Sequence, residues 1–307
     1  RSMDMVKGLS IYPEAIAKEH DLKIVYTSIH GTGITIVPET LKRFGFTNVT
    51  IVEEQATPDG NFLTVIYPNP EEKEAMSMGL NKAIAIDADI LCGTDPDADR
   101  VGVGVKKHKR EWVLMNGNQT AVLAFAYMIE ARKRKGIAKE NDMIVSTIVT
   151  TDMVHEVAKL NDVNSYSVLT GFKWIADLIR EKEGEENYIV GGEESFGFMV
   201  GDAVRDKDAV AATLLICEVA AQAKASGSSV YKELTNLYVD HGFYKEHLVS
   251  LTKKGMDGLQ AINQMMIDLR ENPLKEITTN CPLLPRLILS FPILCQILLH
   301  PYCPTLL

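Results

Sequence analysis

The sequence predicts an α/β fold: two consecutive α/β domains of similar topology, each three layers around a mixed sheet, followed by an irregular C-terminal tail. Two observations predict this class. Short apolar segments alternate with amphipathic segments along most of the 307 residues, and such alternation is typical of strands and helices in α/β folds. The pattern pauses near residue 119 and then starts again, which indicates two units.

The first unit begins as strand, helix, strand and helix, and a third strand then leads into a hairpin. Its strand segments are short, apolar and bounded by turn residues, as buried strands are. The third strand stops where a run of aspartates begins, and the carboxyl ends of strands are where open α/β sheets bind ligands. The predicted segments are strands 22–29, 49–54, 88–95, 100–107 and 111–115 and helices 38–45 and 70–84.

The second unit starts with a long helix, repeats the alternation of strands and helices, and closes with a long apolar helix. Its short apolar segments again have strand length, and the segments between them have helical length. The predicted segments are helices 117–134, 151–160, 172–181 and 208–225 and strands 142–149, 165–171 and 187–194.

The tail from about Leu274 breaks this pattern. It contains five prolines and keeps neither helical nor strand periodicity. Its apolar run 287–299 is interrupted by Pro292 and is too short to span a membrane. A lipid-facing or partner-binding segment stays open, but a frameshifted or otherwise non-native end explains the abrupt change of composition better.

Charge and cysteine content indicate which partners to expect. The formal net charge is −9, and the densest basic stretches, 106–110 and 131–135, are short, so we expect no nucleic-acid partner. We also expect no membrane partner. Five cysteines, an odd number, show no paired metal spacing, which predicts reduced thiols and a cytoplasmic protein.

The stretch GTDPDADRVGV holds the first candidate site, at its three alternate aspartates Asp95, Asp97 and Asp99. Their mutual repulsion lowers stability unless a cation offsets it. An EF-hand needs Gly at its sixth position and Glu at its twelfth, but Arg100 and Lys106 stand there. Three carboxylates with open positions suit Mg²⁺ that also holds a substrate phosphate, and Arg100 offers that phosphate a planar donor fork. We call residues 95–100 the acidic loop.

The stretch VGGEESFGF at 190–198 holds the second candidate site. Glu193 and Ser195 are two residues apart, so in extended backbone their side chains point to the same side. A carboxylate and a hydroxyl together suit adjacent sugar hydroxyls, and we call residues 193–197 the sugar loop. Two further segments place cations at predicted helix starts, where anions are favoured: Lys173 after Gly171 in LTGFKWI, and Arg205 and Lys207 in VRDKDAV.

Together these motifs resemble the α-D-phosphohexomutases, the family of phosphoglucomutase and phosphomannomutase. GTDPDADR is similar to the family's Mg²⁺ loop, GGEESFG to its sugar-specificity loop, and TGFKW and RDKD to its phosphate-contacting loops. YTSIHGTG at 26–33 and YPNPEE at 67–72 are similar to its second domain. The resemblance covers roughly residues 20–245, with all six motifs in order.

The resemblance implies a Mg²⁺-dependent intramolecular phosphotransfer between two hydroxyls of one sugar, through a phosphoserine and a sugar 1,6-bisphosphate. It implies Asp95, Asp97 and Asp99 as metal ligands, and Arg100 and Lys207 as catalytic residues, Lys207 as an acid or base. It implies substrate binding by Glu193, Ser195, Lys173, Gly171 and Arg205. The role of His30 stays open.

The resemblance also implies a domain division and missing parts. Residues 1–20 would be a linker from an absent first domain, 21–118 domain II, 119–243 domain III, and 244–307 the lead into a missing domain IV plus the tail. The family's phosphoserine motif, of the type TASHNP, does not occur in the sequence. We therefore expect the isolated chain to be inactive and the complete protein to carry further N- and C-terminal domains.

Two alternatives of other classes stay open. A metal-dependent phosphatase or phosphoryl-transfer enzyme of another fold would explain the acidic loop but not the sugar loop. A non-catalytic sugar-phosphate-binding module or regulator would explain the missing serine motif. The sequence does not decide between glucose, mannose and a pentose phosphate, so phosphopentomutase specificity also stays open, as does the oligomeric state.

Overall fold

The structure is a computed structural model that describes residues 10–108, 111–246, 253, 255–272, 276–278 and 286–288. The chain divides into one compact unit that ends at Tyr244 and a second that starts at Lys245. The first unit contains two mixed sheets with helices. The prediction of two consecutive α/β domains is therefore confirmed.

The first sheet has five strands in the order β2-β1-β3-β4-β5. Its three strands β2, β1 and β3 are parallel, and β4 and β5 continue the sheet as an antiparallel hairpin. Every residue of β1 and β3 is buried, as expected for central strands covered on both faces. The elements are β1 (Ile24–Thr27), α2 (Val37–Phe44), β2 (Val49–Ile51), α3 (Lys73–Ala85), β3 (Ile90–Thr94), β4 (Val101–His108) and β5 (Glu111–Met115), preceded by α1 (Pro13–Lys18).

The second sheet has four strands in the order β7-β6-β8-β9. Strands β7, β6 and β8 are parallel and β9 is antiparallel to β8. Both sheets thus place their first four strands in the order second, first, third, fourth, which confirms the predicted similar topology. The elements are α4 (Gly117–Arg134), β6 (Asp142–Thr147), α5 (Met153–Leu160), β7 (Asn164–Val168), α6 (Phe172–Glu181), β8 (Asn187–Gly192), β9 (Phe198–Val200), α7 (Ala209–Ala225) and α8 (Val230–His241).

Two long buried helices, α4 and α7, join the two sheets into one core. Helix α4 begins at a capping box formed by Asn116 and Gln119, and Asp208 caps α7 by accepting from two backbone amides. Helix α7 contacts β3 and β4 of the first sheet and β9 of the second. Its buried Leu214 and Ile216 each stabilise the fold by about 1.5–3 kcal/mol, so the two domains share hydrophobic stabilisation.

Three elements of the first unit escape sequence prediction. Strand β9 has only 3 residues, too few for a periodic pattern to be visible. Helix α1 has 6 residues and lies within the range predicted as a linker, yet its Ile16 is fully buried. Helix α8 begins where the Ser229 side chain accepts from the Lys232 amide, and no helix was predicted at this position.

The second unit is described only in part. It contains helix α9 (Gly255–Glu271) and two short antiparallel strands, β10 (Glu276–Thr278) and β11 (Arg286–Ile288). These strands lie in the tail that was predicted to be irregular; most of the apolar run 287–299 lies outside the described residues. Within the described ranges, no single helix is long and apolar enough to cross a membrane, and only the bent pair α7 and α8, at 87°, passes by length and composition.

Candidate active site

The acidic loop connects the end of β3 to the start of β4. Its turn is closed by Asp95, whose Oδ1 accepts hydrogen bonds from the amides of Asp99 at 3.0 Å and Arg100 at 2.9 Å. Ala98 takes a left-handed conformation with φ 58°, and its amide donates to the Asp95 carbonyl at 3.1 Å. The prediction that the aspartates follow a buried strand is confirmed.

The structure brings the three predicted metal ligands together. Asp95, Asp97 and Asp99 each offer one carboxylate oxygen, and these oxygens lie within 4.8 Å of one another. The pKa of Asp95 is raised to about 8, chiefly by burial and also by the charges of Asp99 and Asp97, against the lowering effect of the Arg100 amide. The buried Oδ1 of Asp99 accepts no hydrogen bond among the described residues. Clustered carboxylates with such an oxygen fit Mg²⁺.

Two cations lie beside these carboxylates. The Nε of Arg100 lies 3.8 Å from Asp95 Oδ2 and 3.7 Å from Asp99 Oδ1, and its guanidinium also reaches Glu71 Oε1 at 3.6 Å. The Nζ of Lys207, from the second domain, lies 3.0 Å from Asp99 Oδ2. Burial lowers the pKa of Lys207, but the hydrogen bond and charge of Asp99 outweigh burial, so its net pKa is raised. Lys207 therefore stays charged.

The sugar loop is a turn between β8 and β9, because β8 ends at Gly192, two residues before the predicted end of the strand at 194. The chain reverses there because β9 pairs antiparallel with β8. The two side chains still face each other, since Ser195 Oγ donates to Glu193 Oε2 at 3.4 Å. Glu193 is buried, and its Oε1 accepts from the Gly171 amide at 2.6 Å.

The backbone joins the acidic loop directly to the sugar loop. Arg100 and Gly197 form an antiparallel bridge, and the Val101 amide donates to the Phe196 carbonyl at 3.0 Å. A Cβ on Gly117 would lie 1.7 Å from the Glu194 carbonyl oxygen, so glycine is required for this close approach. The two candidate sites, predicted on separate domains, are therefore neighbouring parts of one site.

Two family models match the chain in consecutive order. The phosphoglucomutase/phosphomannomutase alpha/beta/alpha domain II matches residues 2–109, and the alpha/beta/alpha domain III of the same family matches residues 116–238. The chain belongs to the phosphoglucomutase/phosphomannomutase family. The resemblance predicted from the six motifs is thereby confirmed.

Individual relatives agree with this membership. The chain is 37% identical to a phosphoglucomutase of Staphylococcus aureus (strain MRSA252) over 257 residues, which are 84% of this chain and 46% of that protein. It is also similar in fold to the solved Paramecium phosphoglucomutase pp63/parafusin in its open form, at TM-score 0.60 and 17% identity over 90% of this chain and 48% of that one. The chain spans about half the length of the curated relatives it matches.

A second similar structure was solved with bound molecules. It is the Aspergillus fumigatus N-acetylphosphoglucosamine mutase in complex with GlcNAc-6P and magnesium. The TM-score is 0.50 and the identity 16%, over 74% of this chain and 49% of that one. This likeness concerns the fold.

Two predicted substrate-binding residues of this family member have their described contacts with residues other than the three aspartates. Lys173 is exposed, with its Nζ 5.1 Å from the centre of the Trp174 ring. Arg205 forms an ion pair with Glu183 at 3.2 Å. Their roles toward substrate stay predictions.

Glu194, which stands between the two predicted sugar ligands, was not among the predicted site residues. Its Oε2 accepts from Thr147 Oγ1 at 3.2 Å and Thr150 Oγ1 at 3.4 Å. Burial raises the pKa of Glu194 to about 7. Two adjacent glutamates were visible in the sequence, but no local pattern indicates which of them turns toward the end of β6.

Proposed function

We propose that the chain is the central part of a phosphohexomutase that interconverts a sugar 1-phosphate and a sugar 6-phosphate through a phosphoserine and a sugar 1,6-bisphosphate. The proposal rests on one observation, that the acidic loop and the sugar loop lie together. They are connected by the backbone bridge between Arg100 and Gly197 and by the ion pair between Lys207 of the second domain and Asp99 of the first. A metal-dependent phosphatase of another fold is excluded by the family.

Asp95, Asp97 and Asp99 would hold Mg²⁺, which when bound neutralises charge on a transferring phosphoryl group. Magnesium in the similar A. fumigatus mutase supports this assignment. The three carboxylates repel one another, so their cluster favours binding a cation. Arg100 is held by Glu71 and the acidic loop, and it would orient a phosphoryl group as a fixed donor fork.

Glu193 and Ser195 would hold neighbouring sugar hydroxyls. Glu193 already accepts the Gly171 amide through Oε1, so Oε2 and the Ser195 hydroxyl are the atoms that would meet a substrate. Lys207 would first neutralise Asp99 and then contact the sugar or its phosphate, or transfer a proton. Lys173, Gly171 and Arg205 would contribute further phosphate or sugar contacts, as the family motifs imply.

The phosphoryl donor would come from a part of the complete protein that this chain does not contain. The TASHNP-type serine motif does not occur in the sequence, and the chain spans 46% of its S. aureus relative. We propose that the chain alone is inactive and that the complete protein works in the cytoplasm, the latter supported by unpaired cysteine spacing. A non-catalytic sugar-phosphate-binding module is the second candidate, favoured by the same missing motif.

The test is a kinetic assay of the protein carrying its upstream and downstream domains. Glucose, mannose and pentose 1-phosphates are supplied with Mg²⁺, and 6-phosphate or 5-phosphate formation is followed. We expect turnover with at least one sugar, and a drop of about one to two orders of magnitude in Glu193→Gln, because a charge-assisted hydrogen bond contributes about 1.5–3 kcal/mol. The matched control is Glu185→Gln, which makes the same substitution at an exposed side chain in the turn before β8.

Two outcomes would contradict the proposal. No turnover with any of the sugars, from a protein that still binds a sugar bisphosphate, would favour the non-catalytic module. A turnover rate in Glu193→Gln equal to that of the wild type would show that the sugar loop does not bind the substrate.

A further inference from the structure

We propose that the turn His30–Gly33 is a brace that positions the acidic loop, with His30 and Gly31 as positioning residues. This inference rests on the proposed function, because it assumes that the acidic loop binds Mg²⁺. The sequence motif HGTG, residues 30–33, belongs to neither the acidic loop nor the sugar loop. The structure places it against the backbone of the acidic loop.

Gly31 packs against the backbone of the acidic loop so closely that there is no room for a side chain. A Cβ at this position would lie 2.4 Å from Pro96 Cα, 2.8 Å from the Asp95 carbonyl oxygen and 2.8 Å from the Pro96 carbonyl oxygen. All three atoms are backbone, so no side-chain rotation relieves the contact. The backbone of Gly31, at φ −97° and ψ 178°, is open to any residue. Space, rather than conformation, therefore requires glycine here.

The next two residues of the turn continue this contact. Thr32 donates twice to the Pro96 carbonyl, from its amide at 2.8 Å and from its Oγ1 at 3.0 Å. A Cβ on Gly33 would lie 2.6 Å from Thr94 Oγ1. The turn thus touches Thr94, Asp95 and Pro96 in succession, at the point where β3 becomes the acidic loop. Outer contacts of this kind orient metal ligands.

His30 fixes the turn from its other side. Its imidazole lies between the Thr57 carbonyl, 3.1 Å from Nδ1, and Thr64 Oγ1, 2.8 Å from Nε2. Because a carbonyl only accepts, Nδ1 carries the proton, and Nε2 accepts from the threonine hydroxyl. The Gln55 side-chain amide donates to the Thr64 hydroxyl oxygen at 3.2 Å. The Thr64 hydroxyl proton is therefore available for the hydrogen bond to His30 Nε2.

The backbone of His30 is also held on both sides. Its amide donates to the Gln55 carbonyl at 2.9 Å, and its carbonyl accepts from the Asp59 amide at 3.1 Å. His30 has φ 59° and Ile29 has φ 48°, and two successive left-handed residues persist only where surrounding contacts hold them. The histidine hydrogen bonds supply those contacts, so the ring sets the path of the chain into Gly31.

The experiment compares Gly31→Ala with Gly60→Ala in the full chain. Gly60 lies in a neighbouring loop, and a Cβ there would meet nothing within 4 Å. Mg²⁺ is titrated calorimetrically, the melting temperature is recorded, and amide hydrogen exchange over residues 94–101 is measured without metal. In Gly31→Ala we expect Mg²⁺ affinity to fall about tenfold or more, as for other residues that orient metal ligands, and exchange to become faster. Gly60→Ala should match the wild type.

The His30 variants separate positioning from simple packing. His30→Ala should weaken Mg²⁺ binding in the same direction. His30→Asn should restore much of it, because asparagine tolerates a left-handed φ and its amide can donate to Thr57 in place of Nδ1. If Gly31→Ala does not fold, Thr32→Val removes the Oγ1 hydrogen bond to Pro96 at nearly constant shape and should give a smaller loss of affinity.

Asp97→Ala distinguishes failure of the brace from failure of the metal site. If Asp97→Ala loses Mg²⁺ affinity while Gly31→Ala and the His30 variants bind as the wild type does, the brace is overturned. If wild type and Asp97→Ala bind Mg²⁺ alike, the proposed metal site is overturned instead. In that case hydrogen exchange still tests the brace. Equal exchange rates over residues 94–101 in Gly31→Ala and Gly60→Ala would reject it.

Discussion

Burial decides how each carboxylate of the acidic loop behaves. Asp95 is 7% exposed, Asp99 is half-buried and Asp97 is exposed, although the sequence shows three equivalent aspartates. Burial against the core raises the pKa of Asp95 to about 8, against the lowering effect of the Arg100 amide that its side chain accepts. Forming the Asp95 charge in the metal-free folded protein therefore lowers its stability.

Replacing Asp95 with Asn should stabilise the metal-free fold at high pH while abolishing Mg²⁺ binding. The wild-type carboxyl releases its proton at pH 3.8 when unfolded and only at about pH 8 when folded, so stability falls as pH rises through this window. The slope contributed by one group is at most about 1.4 kcal/mol per pH unit. The amide keeps an oxygen for the Asp99 and Arg100 amides but has no charge.

Urea unfolding in EDTA at pH 5, 6.5 and 8 measures this effect. The stability of Asp95→Asn minus that of the wild type should grow with pH, and added Mg²⁺ should stabilise only the wild type, more at pH 8 than at pH 5. A difference that is constant over this range would contradict the assignment of Asp95.

Glu194 should make a second, metal-independent contribution of the same sign. Burial raises its pKa from 4.5 to about 7, so the wild type loses stability as pH rises from 4.5 to 7. Glu194→Gln removes this loss, and its stability relative to the wild type should increase between pH 5 and pH 8, in Mg²⁺ and in EDTA alike. Glu185→Gln, with an exposed side chain, should show no such trend; a flat profile for Glu194→Gln would refute the raised pKa.

Helix α7 holds the start of the described chain through one buried carboxylate. Glu218 is 1% exposed and accepts from Ser10 Oγ, from the Ile11 amide at 3.1 Å and from the Tyr12 amide at 3.0 Å. Tyr127 of α4 donates to it at 2.8 Å. The segment before α1, within the range predicted as a linker, is therefore attached to the domain III part of the core.

Glu218→Gln should destabilise the fold by about 1–3 kcal/mol, because an amide nitrogen would face donors that need an acceptor. Urea unfolding measures the loss, and limited proteolysis should show earlier cleavage near residues 10–12. Glu39→Gln, which changes an exposed ion pair with Arg43, should stay within about 0.5 kcal/mol of the wild type. Equal stability of the two variants would mean that Glu218 does not hold the segment.

At the scale of the whole molecule, the chain contains two consecutive domains of the phosphoglucomutase/phosphomannomutase family. The acidic loop and the sugar loop are joined, but the chain spans 46% of its S. aureus relative. Two of its serines are poorly placed to carry a phosphoryl group: Ser195 faces Glu193, and Ser146 is fully buried in β6. Positioning of a donor in line with the sugar supplies much of the rate in phosphoryl transfer.

We therefore expect this chain alone to convert no glucose 1-phosphate to glucose 6-phosphate. The purified chain is incubated with Mg²⁺, glucose 1-phosphate and a trace of glucose 1,6-bisphosphate, and product is followed against a host-extract blank. Mg²⁺ binding should persist in the same preparation, which shows that inactivity is not unfolding. Turnover comparable to a complete mutase would contradict this expectation and require another nucleophile.

The sequence by itself determined the two α/β domains, most of their strands and helices, and the position of the aspartates at the end of β3. These features depend on residues a few positions apart, whose periodicity and turn chemistry are local properties. The tertiary structure alone decided that Arg100 pairs with Gly197, that Lys207 meets Asp99, that Gly31 lies against Pro96 and that Glu218 holds residues 10–12. Such contacts join segments far apart in the chain, and they arise from sheet order and the packing of helices, which no local pattern contains.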